Sequence, residues 1–292
     1  MPIHPESTVR AVVDRLTPLL ERFRVRTRLF HSGPLCGVTE FPAEIGRGFL
    51  HVLRRGELEM TVIHDVGAAE RIEVTRPSLL FFPRPIRHTF FNPPADHSDF
   101  ACATLDFEGG ATHPIVRTLP PVVVIALADV PTLEVALELL FAEVDSDRCG
   151  HPIVVDRVFE VVLIQMLRWM IDHSAELALP PGLLPALADE RLAPALVALH
   201  HEPGRPWRLD TMAREANLSR SAFAARFKEV VGRTPADYLT EWRLTIAQAQ
   251  LRAGASVSLV AADLGYASPS SFTRVFTQRI GVSPRAWSAS AG

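Results

Sequence analysis

Leu218-Ser219-Arg220-Ser221-Ala222-Phe223-Ala224-Ala225-Arg226-Phe227, closed by Gly232-Arg233-Thr234-Pro235, is answered 49 residues later by Ala267-Ser268-Pro269-Ser270-Ser271-Phe272-Thr273-Arg274-Val275-Phe276 and Gly281-Val282-Ser283-Pro284. One module is written twice. At that offset Phe223 pairs with Phe272, Phe227 with Phe276, Gly232 with Gly281, Pro235 with Pro284 and Tyr238 with Trp287. Each copy opens with a short helical pattern (Leu209, Met212, Ala213, Ala216; then Val257, Val260, Ala261, Leu264) and turns at Asn217-Leu218-Ser219 or Gly265-Tyr266-Ala267-Ser268. A second helix follows, with Ser219 or Ser268 where an N-cap belongs. Phenylalanines at i and i+4 pin that helix to a core and leave its other face free, the pattern of a helix-turn-helix. A plain helical bundle accounts for one copy, but not for matching turns and matching Gly-x-x-Pro stops in both.

Charge supports a division of the chain just ahead of this repeat. Residues 195–292 hold 12 Lys and Arg against 7 Asp and Glu, a net +5, which leaves −8 for the first 194 residues of a chain whose total is −3. A basic module on an acidic body points to nucleic acid as the module's partner. The 292 residues suit about two domains, and 48% hydrophobic with 22% charged residues is a globular composition. Apolar runs such as Val122 to Leu127 are far shorter than the roughly 20 residues of a membrane span. The first thirty residues mix six arginines with Glu6, Asp14 and Glu21 and show no secretory signal, so a cytoplasmic protein is expected. Three cysteines do not make a disulfide framework.

Outward from the repeat, residues 1 to about 28 read as an amphipathic helix through Val9, Val12, Val13, Leu16, Leu19, Leu20 and Phe23. From Phe30 to Phe107, short apolar runs broken by Gly33-Pro34, Gly46, Gly56, Gly67, Pro77 and Pro93-Pro94 predict antiparallel strands closing into a barrel or sandwich. Helical spacing returns over Leu133 to Val144 and Val154 to Asp172, the second apolar on more than one side, and Leu179 to Pro185 reads as the linker. The expected fold class is α+β: an N-terminal β-barrel, linker helices, and a C-terminal all-α double helix-turn-helix domain. The boundaries are 1–130 for the barrel domain with its N-terminal helix, 131–180 for linker or dimerisation helices, and 186–292 for the double helix-turn-helix domain.

Residues 195–292 resemble the DNA-binding domain of AraC/XylS-type transcriptional regulators. The resemblance is carried by Trp207, Leu209, Met212-Ala213, Leu218 to Phe227, Gly232-x-x-Pro235-x-x-Tyr238-Leu239-x-x-Trp242-Arg243-Leu244, Val260-Ala261, Gly265-Tyr266, Ser268 to Phe276 and Gly281-x-Ser283-Pro284. It implies two helix-turn-helix units joined by a long helix from Ala236 to about Arg252, with recognition helices in successive major grooves. Opposite the phenylalanines stand Arg220, Ser221, Ala224 and Ala225 in the first copy and, with the cap Ser268, Pro269, Ser270, Thr273 and Arg274 in the second. Arg274 is the expected base reader, because a guanidinium can grip guanine O6 and N7 with two bonds, whereas Ala224 and Ala225 offer only contact to a thymine methyl. That departs from family members with long polar side chains there. Arg220, Lys228, Arg233 and Arg279 are expected at phosphates.

Gly48 to Leu58 and Pro77-Ser78-Leu79-Leu80-Phe81-Phe82-Pro83-x-x-x-x-His88 resemble the two boxes of a cupin barrel, with Pro85 where glycine is usual and only His51 standing among the first-box ligands. The branch this chain resembles shares Gly33-Pro34-Leu35-Cys36, His51, His88 and Cys102. If the barrel brings Cys36, His51, His88 and Cys102 together, they suit zinc or another soft metal; Cys36 and Cys102 could instead be a redox pair, or all four could be core residues beside an organic-ligand pocket. Cys149 and His200-His201 are read as incidental and as a helix-end cap or solvated pair. The expected function is a sequence-specific, non-enzymatic transcriptional regulator whose cupin-like domain senses a small molecule, metal or oxidant. Its partners are double-stranded promoter DNA, that effector, and a second copy in a homodimer, with no membrane. The alternative is a metal-dependent cupin enzyme with a DNA-binding tail.

Overall fold

Two-sided burial organises the N-terminal half. The computed structural model describes residues 13–64, 67–93, 98–146 and 148–290. A short helix α1 (Thr17–Leu20) leads into β1 (Val25–Pro34), β2 (Gly37–Phe41), β3 (Arg47–Arg55), β4 (Leu58–Ile63), β5 (Ala69–Val74), β6 (Ser78–Phe82), β7 (Arg87–Asn92) and β8 (Asp99–Phe107). After α2 (Pro114–Thr118), β9 (Val123–Ala126) completes the sheets. One has the order β1-β8-β3-β6-β9 and the other β2-β7-β4-β5, and their registered pairs are antiparallel. In β4, Leu58, Met60 and Val62 are buried while the intervening residues are not, the alternation of a sheet with one wet face. In β3, Gly48 to Leu53 are all buried, because the larger sheet is covered on both faces. Phe49 and Leu53 join one core with Leu80, Phe82, Phe90 and Phe100, while Leu50 and Val52 join a second with Leu79, Phe81, Ala101 and Ala103.

The second core extends over helices α3 (Glu134–Val144), α4 (His151–Asp172), α5 (Leu183–Ala188) and α6 (Ala193–His201), and onward into the C-terminal helices. These are α7 (Leu209–Glu215), α8 (Arg220–Val231), α9 (Pro235–Arg252), α10 (Val257–Asp263), α11 (Pro269–Ile280) and α12 (Pro284–Ser290). Helix α4 turns Val158, Phe159, Val162, Met166 and Met170 inward, and Asp156 at its first turns accepts the Leu29 N–H at 2.9 Å. The stretch expected as a linker is tied down: the Gly182 N–H donates to the Val230 carbonyl at 3.0 Å.

Two expectations need correction. The expected helix does not run to residue 28: among the described residues it covers Thr17–Leu20 and strand begins at Val25, while the part of the expectation on residues 1–12, Val9 and Val12 included, lies outside the described residues. Leu16, Leu19 and Phe23 are buried and lie on helical turns around α1, the Phe23 N–H donating to the Leu19 carbonyl at 2.9 Å, but the helix stops short of Val25. The expected barrel is two facing sheets with separate edges, not a closed one.

Candidate functional site

Each C-terminal module builds one capped, exposed helix on an aromatic base. Phe223 and Phe227 of α8, and Phe272 and Phe276 of α11, are fully buried. The Ser219 hydroxyl accepts the Ala222 N–H at 3.2 Å, and Ser268 accepts the Ser271 N–H at 3.1 Å while the Ser271 hydroxyl accepts the Ser268 N–H in return. Both helices end on glycines with positive φ, Gly232 at 80° and Gly281 at 88°. The turns ahead of them use Asn217 at φ 51° and Gly265 at φ 72°. Gly265 is also pressed on Gly204, where a Cβ would lie 2.1 Å from the Gly204 carbonyl oxygen, so no other residue fits without a shift. Helix α9, capped by Thr234, carries both units on one frame.

The groups expected at DNA fall into two sets. Arg220, Ser221, Ala225 and Lys228 of α8 are exposed with Ala224 half-buried, and Ser268, Ser270 and Arg274 at α11 are exposed with Thr273 half-buried. Among the described residues, Arg220, Lys228 and Arg274 have no ion-pair partner. Arg279, by contrast, donates to Asp237 at 2.7 Å, and Arg233 is paired with Glu241. Arg226, a residue the spacing left without a role, binds the nearly buried Asp189 carboxylate at 2.6 Å and fixes α8 to the turn before α6. Although burial, the largest influence, opposes it, that arginine and the backbone N–H groups of Leu192 and Arg191 hold the Asp189 carboxyl below the usual carboxylate range.

Between the sheets, His51 and His88 meet with their Nε2 atoms 3.1 Å apart. His88 Nδ1–H donates to the Ile86 carbonyl at 3.0 Å, which leaves its Nε2 as acceptor for His51 Nε2–H, while His51 Nδ1 has no partner among the described residues. The His88 ring lies between Phe82 (centroids 3.8 Å apart) and Phe41 (4.8 Å), both stacked on it. Burial drives the His88 pKa down to about 4 and that of His51 well below its ordinary value, so both rings are neutral. Cys102 is the cross-strand partner of both His31 and His51, and burial pushes its thiol pKa up, away from the reactive thiolate. Phe30, at a bulge in β1, is 44% exposed and stands edge-on to His51 at the rim.

Cys36 is exposed, beyond the end of β1. Pro34 is already about 10 Å along the strand from the position opposite Cys102, at roughly 3.3 Å per residue. The structure thus brings His51, His88 and Cys102 to one interior and leaves Cys36 outside it. Among the described residues no group of three or more His, Cys, Asp or Glu is arranged to hold a metal ion.

Sequence reasoning missed a second aromatic cluster where the two halves meet. His200, expected at a helix end as a cap or solvated, is fully buried: its Nε2 and the Tyr238 hydroxyl share a hydrogen bond of 2.6 Å, and its ring stacks on Trp242 at 4.0 Å. Trp242 also meets Phe23 at 5.2 Å, and Phe23 meets His113 at 5.7 Å. His113 Nδ1 accepts the Ile115 N–H and its Nε2–H donates to the Phe23 carbonyl, so α1, α2 and α9 share one anchor. Burial lowers the pKa of His113 to about 4 and of His200 to about 3. His201 and Cys149 are exposed.

Comparison with known proteins matches residues 14–172 to the Cupin family and residues 212–290 to a helix-turn-helix domain family. A Streptomyces lividans protein described as an AraC-like transcription regulator is 35% identical over 174 residues, 58% of this chain and 56% of that one. The match thus spans little more than half the length of that relative. An uncharacterized HTH-type transcriptional regulator of Haemophilus influenzae is 24% identical over 298 residues, covering 93% and 96%. Among solved structures, the DNA-binding domain of AdpA in complex with a target DNA is 29% identical over 35% of this chain and 93% of that one, with a TM-score of 0.34.

Proposed function

The chain belongs to the AraC/XylS-type transcriptional regulators, with a cupin domain ahead of a helix-turn-helix domain, and from that premise we propose that it binds promoter DNA through α8 and α11 and responds to a signal received by the cupin domain. The observation that carries the reading is the pair of serine-capped helices on one frame, each presenting its exposed face, with Arg220, Lys228 and Arg274 unpaired among the described residues. Arg274 reads a base, and Arg220 and Lys228 meet phosphates. Ser221, Ala224, Ala225, Ser268, Ser270 and Thr273 make the close contacts. Arg279 reaches a phosphate only by leaving Asp237. The signal is a small molecule, metal or oxidant, and the buried His51, His88 and Cys102 are the sensing groups of the sheet interior. Cys36 joins them only after the β1–β2 connection moves. Helices α3 and α4 expose Val135, Leu139, Ile153 and Val161, an apolar face suited to a second copy of the chain. The chain acts as a regulator and not as an enzyme.

In vitro selection from a random-sequence DNA pool tests the reading. Wild-type protein should enrich a site with two short conserved blocks, and Arg274→Ala should lose preference within one block only. A pool that stays random overturns it.

A further inference from the structure

A row of arginines runs along the outer edge of the larger sheet. There β1 is the terminal strand, and Arg24, Arg26 and Arg28 alternate with Val25, Thr27 and Leu29, so the three arginines share one face. All three are exposed, and among the described residues none has an ion-pair partner. The carboxylates beside them are largely engaged. Asp106, the cross-strand partner of Arg26, accepts from Arg47 at 3.2 Å, and Glu160 accepts from Arg157 at 2.7 Å. Asp156 accepts the Leu29 N–H at 2.9 Å and its carbonyl accepts the Thr27 hydroxyl, so α4 covers the edge where a further strand would pair. Glu21 and Glu108 flank the row at its Arg22 end. Three cations without an ion-pair partner thus stand in a segment, residues 1–194, whose net charge is −8.

The row is continuous with the DNA-binding half. Arg24, Arg26 and Arg28 line a polar groove together with Arg157 of α4. Arg24 and Arg26 line a second hollow with Arg22, and Arg22 in turn lines a third with Arg205, Asp263 and Leu264, where α10 ends ahead of the α11 cap Ser268. From Arg24 to Arg28 the strand covers about 13 Å, at about 3.3 Å per residue. Phosphates of one DNA strand advance about 3.4 Å each along the helix axis, so the row can face about four of them.

We propose that the arginine row of β1 is a second, sequence-independent DNA contact, which holds phosphates of the duplex flanking the block read by α11. The proposal rests on the reading of α8 and α11 as DNA-recognition helices and adds to it a contact made by the cupin domain. Guanidinium groups suit the role because each can give two parallel hydrogen bonds to a phosphate. Such a contact positions the protein and carries no base information, so it lengthens the footprint without lengthening the conserved site.

The test is a salt titration of DNA binding by the whole chain on two duplexes. One holds only the two selected blocks; the other is extended by about 15 base pairs, roughly 50 Å, beyond the block whose preference Arg274→Ala loses. Each phosphate contact adds about 0.9 to the log–log slope, so the wild type should show a slope steeper by about 2 to 3 on the longer duplex. The triple variant Arg24→Gln, Arg26→Gln, Arg28→Gln should lose that difference and bind the short duplex as the wild type does. If the triple variant does not fold, Arg26→Gln alone should remove about one unit of slope on the longer duplex. Equal wild-type slopes on the two duplexes, or a long-duplex slope unchanged by the substitutions, overturn the contact. Binding to phosphatidylserine vesicles that the substitutions abolish, without any effect of duplex length, also overturns it and assigns the row to a membrane surface. Normal short-duplex binding beside either failure rejects the arginine row alone, whereas absent short-duplex binding by the wild type rejects the regulator reading.

Discussion

Arg274 and the buried histidines show how differently single side chains act here. Arg274 is exposed on α11 with no ion-pair partner among the described residues, so none of these competes for it. Arg274→Ala should cost about 1 to 3 kcal/mol at the selected site and leave binding to random DNA nearly unchanged, measured by competition titration. Equal losses on both would assign it to a phosphate. His88, His113 and His200 have pKa values lowered by burial to about 4, 4 and 3. Between those values and the unfolded value of about 6.5, the unfolded chain binds protons that the folded chain refuses. Stability is therefore full above about pH 6.5 and falls as pH drops toward 4, all three histidines adding to the fall. Urea midpoints measured from pH 7.5 to pH 5 should decline steeply, with a shallower slope for His113→Gln. Midpoints flat across that range would contradict the burial.

At the level of elements, the repeat was legible because its signals are local: N-cap serines, i and i+4 phenylalanines, and glycines in left-handed turns act within a few residues of themselves. Gly265 shows the limit of that legibility. Its positive φ could be read from the turn, but its contact with Gly204, 61 positions earlier in the chain, could not. Gly265→Ala should destabilise by roughly 2 to 4 kcal/mol, because the added Cβ meets backbone as well as a strained φ. Gly254→Ala, with φ 86° and open space around its Cβ, should cost only about 1 kcal/mol; thermal unfolding of the two variants checks the contrast. The strands were legible by composition, whereas α1 is shorter than expected: its helical turns hold Leu16, Leu19 and Phe23 in the core, and strand takes over at Val25. His51 and His88 were found from their cupin boxes and do meet. Cys36 was grouped with them by sequence resemblance, which does not tell that it lies in the connection between β1 and β2, exposed and past the end of the strand. His113 and His200 were missed because their partners, Phe23 and Tyr238, are 90 and 38 residues away.

Across the whole molecule, one hydrophobic core runs from the helix-covered face of the larger sheet into both helix-turn-helix units, so a change in the cupin domain has a packed route to α9. The full chain carries −3, yet α8 and α11 hold Arg220, Lys228 and Arg274 without an ion-pair partner among the described residues. DNA affinity should therefore fall steeply with salt, and Arg220→Ala should reduce the log–log slope by about one. The central claim is that α8 and α11, held by α9, enter successive major grooves on one face of the duplex. Guanine N7 methylation protection on the selected site, with the full-length protein, tests it most directly. The account predicts two protected clusters about 10 base pairs apart, centre to centre, on the same face. A single protected cluster, or two on opposite faces, would contradict it.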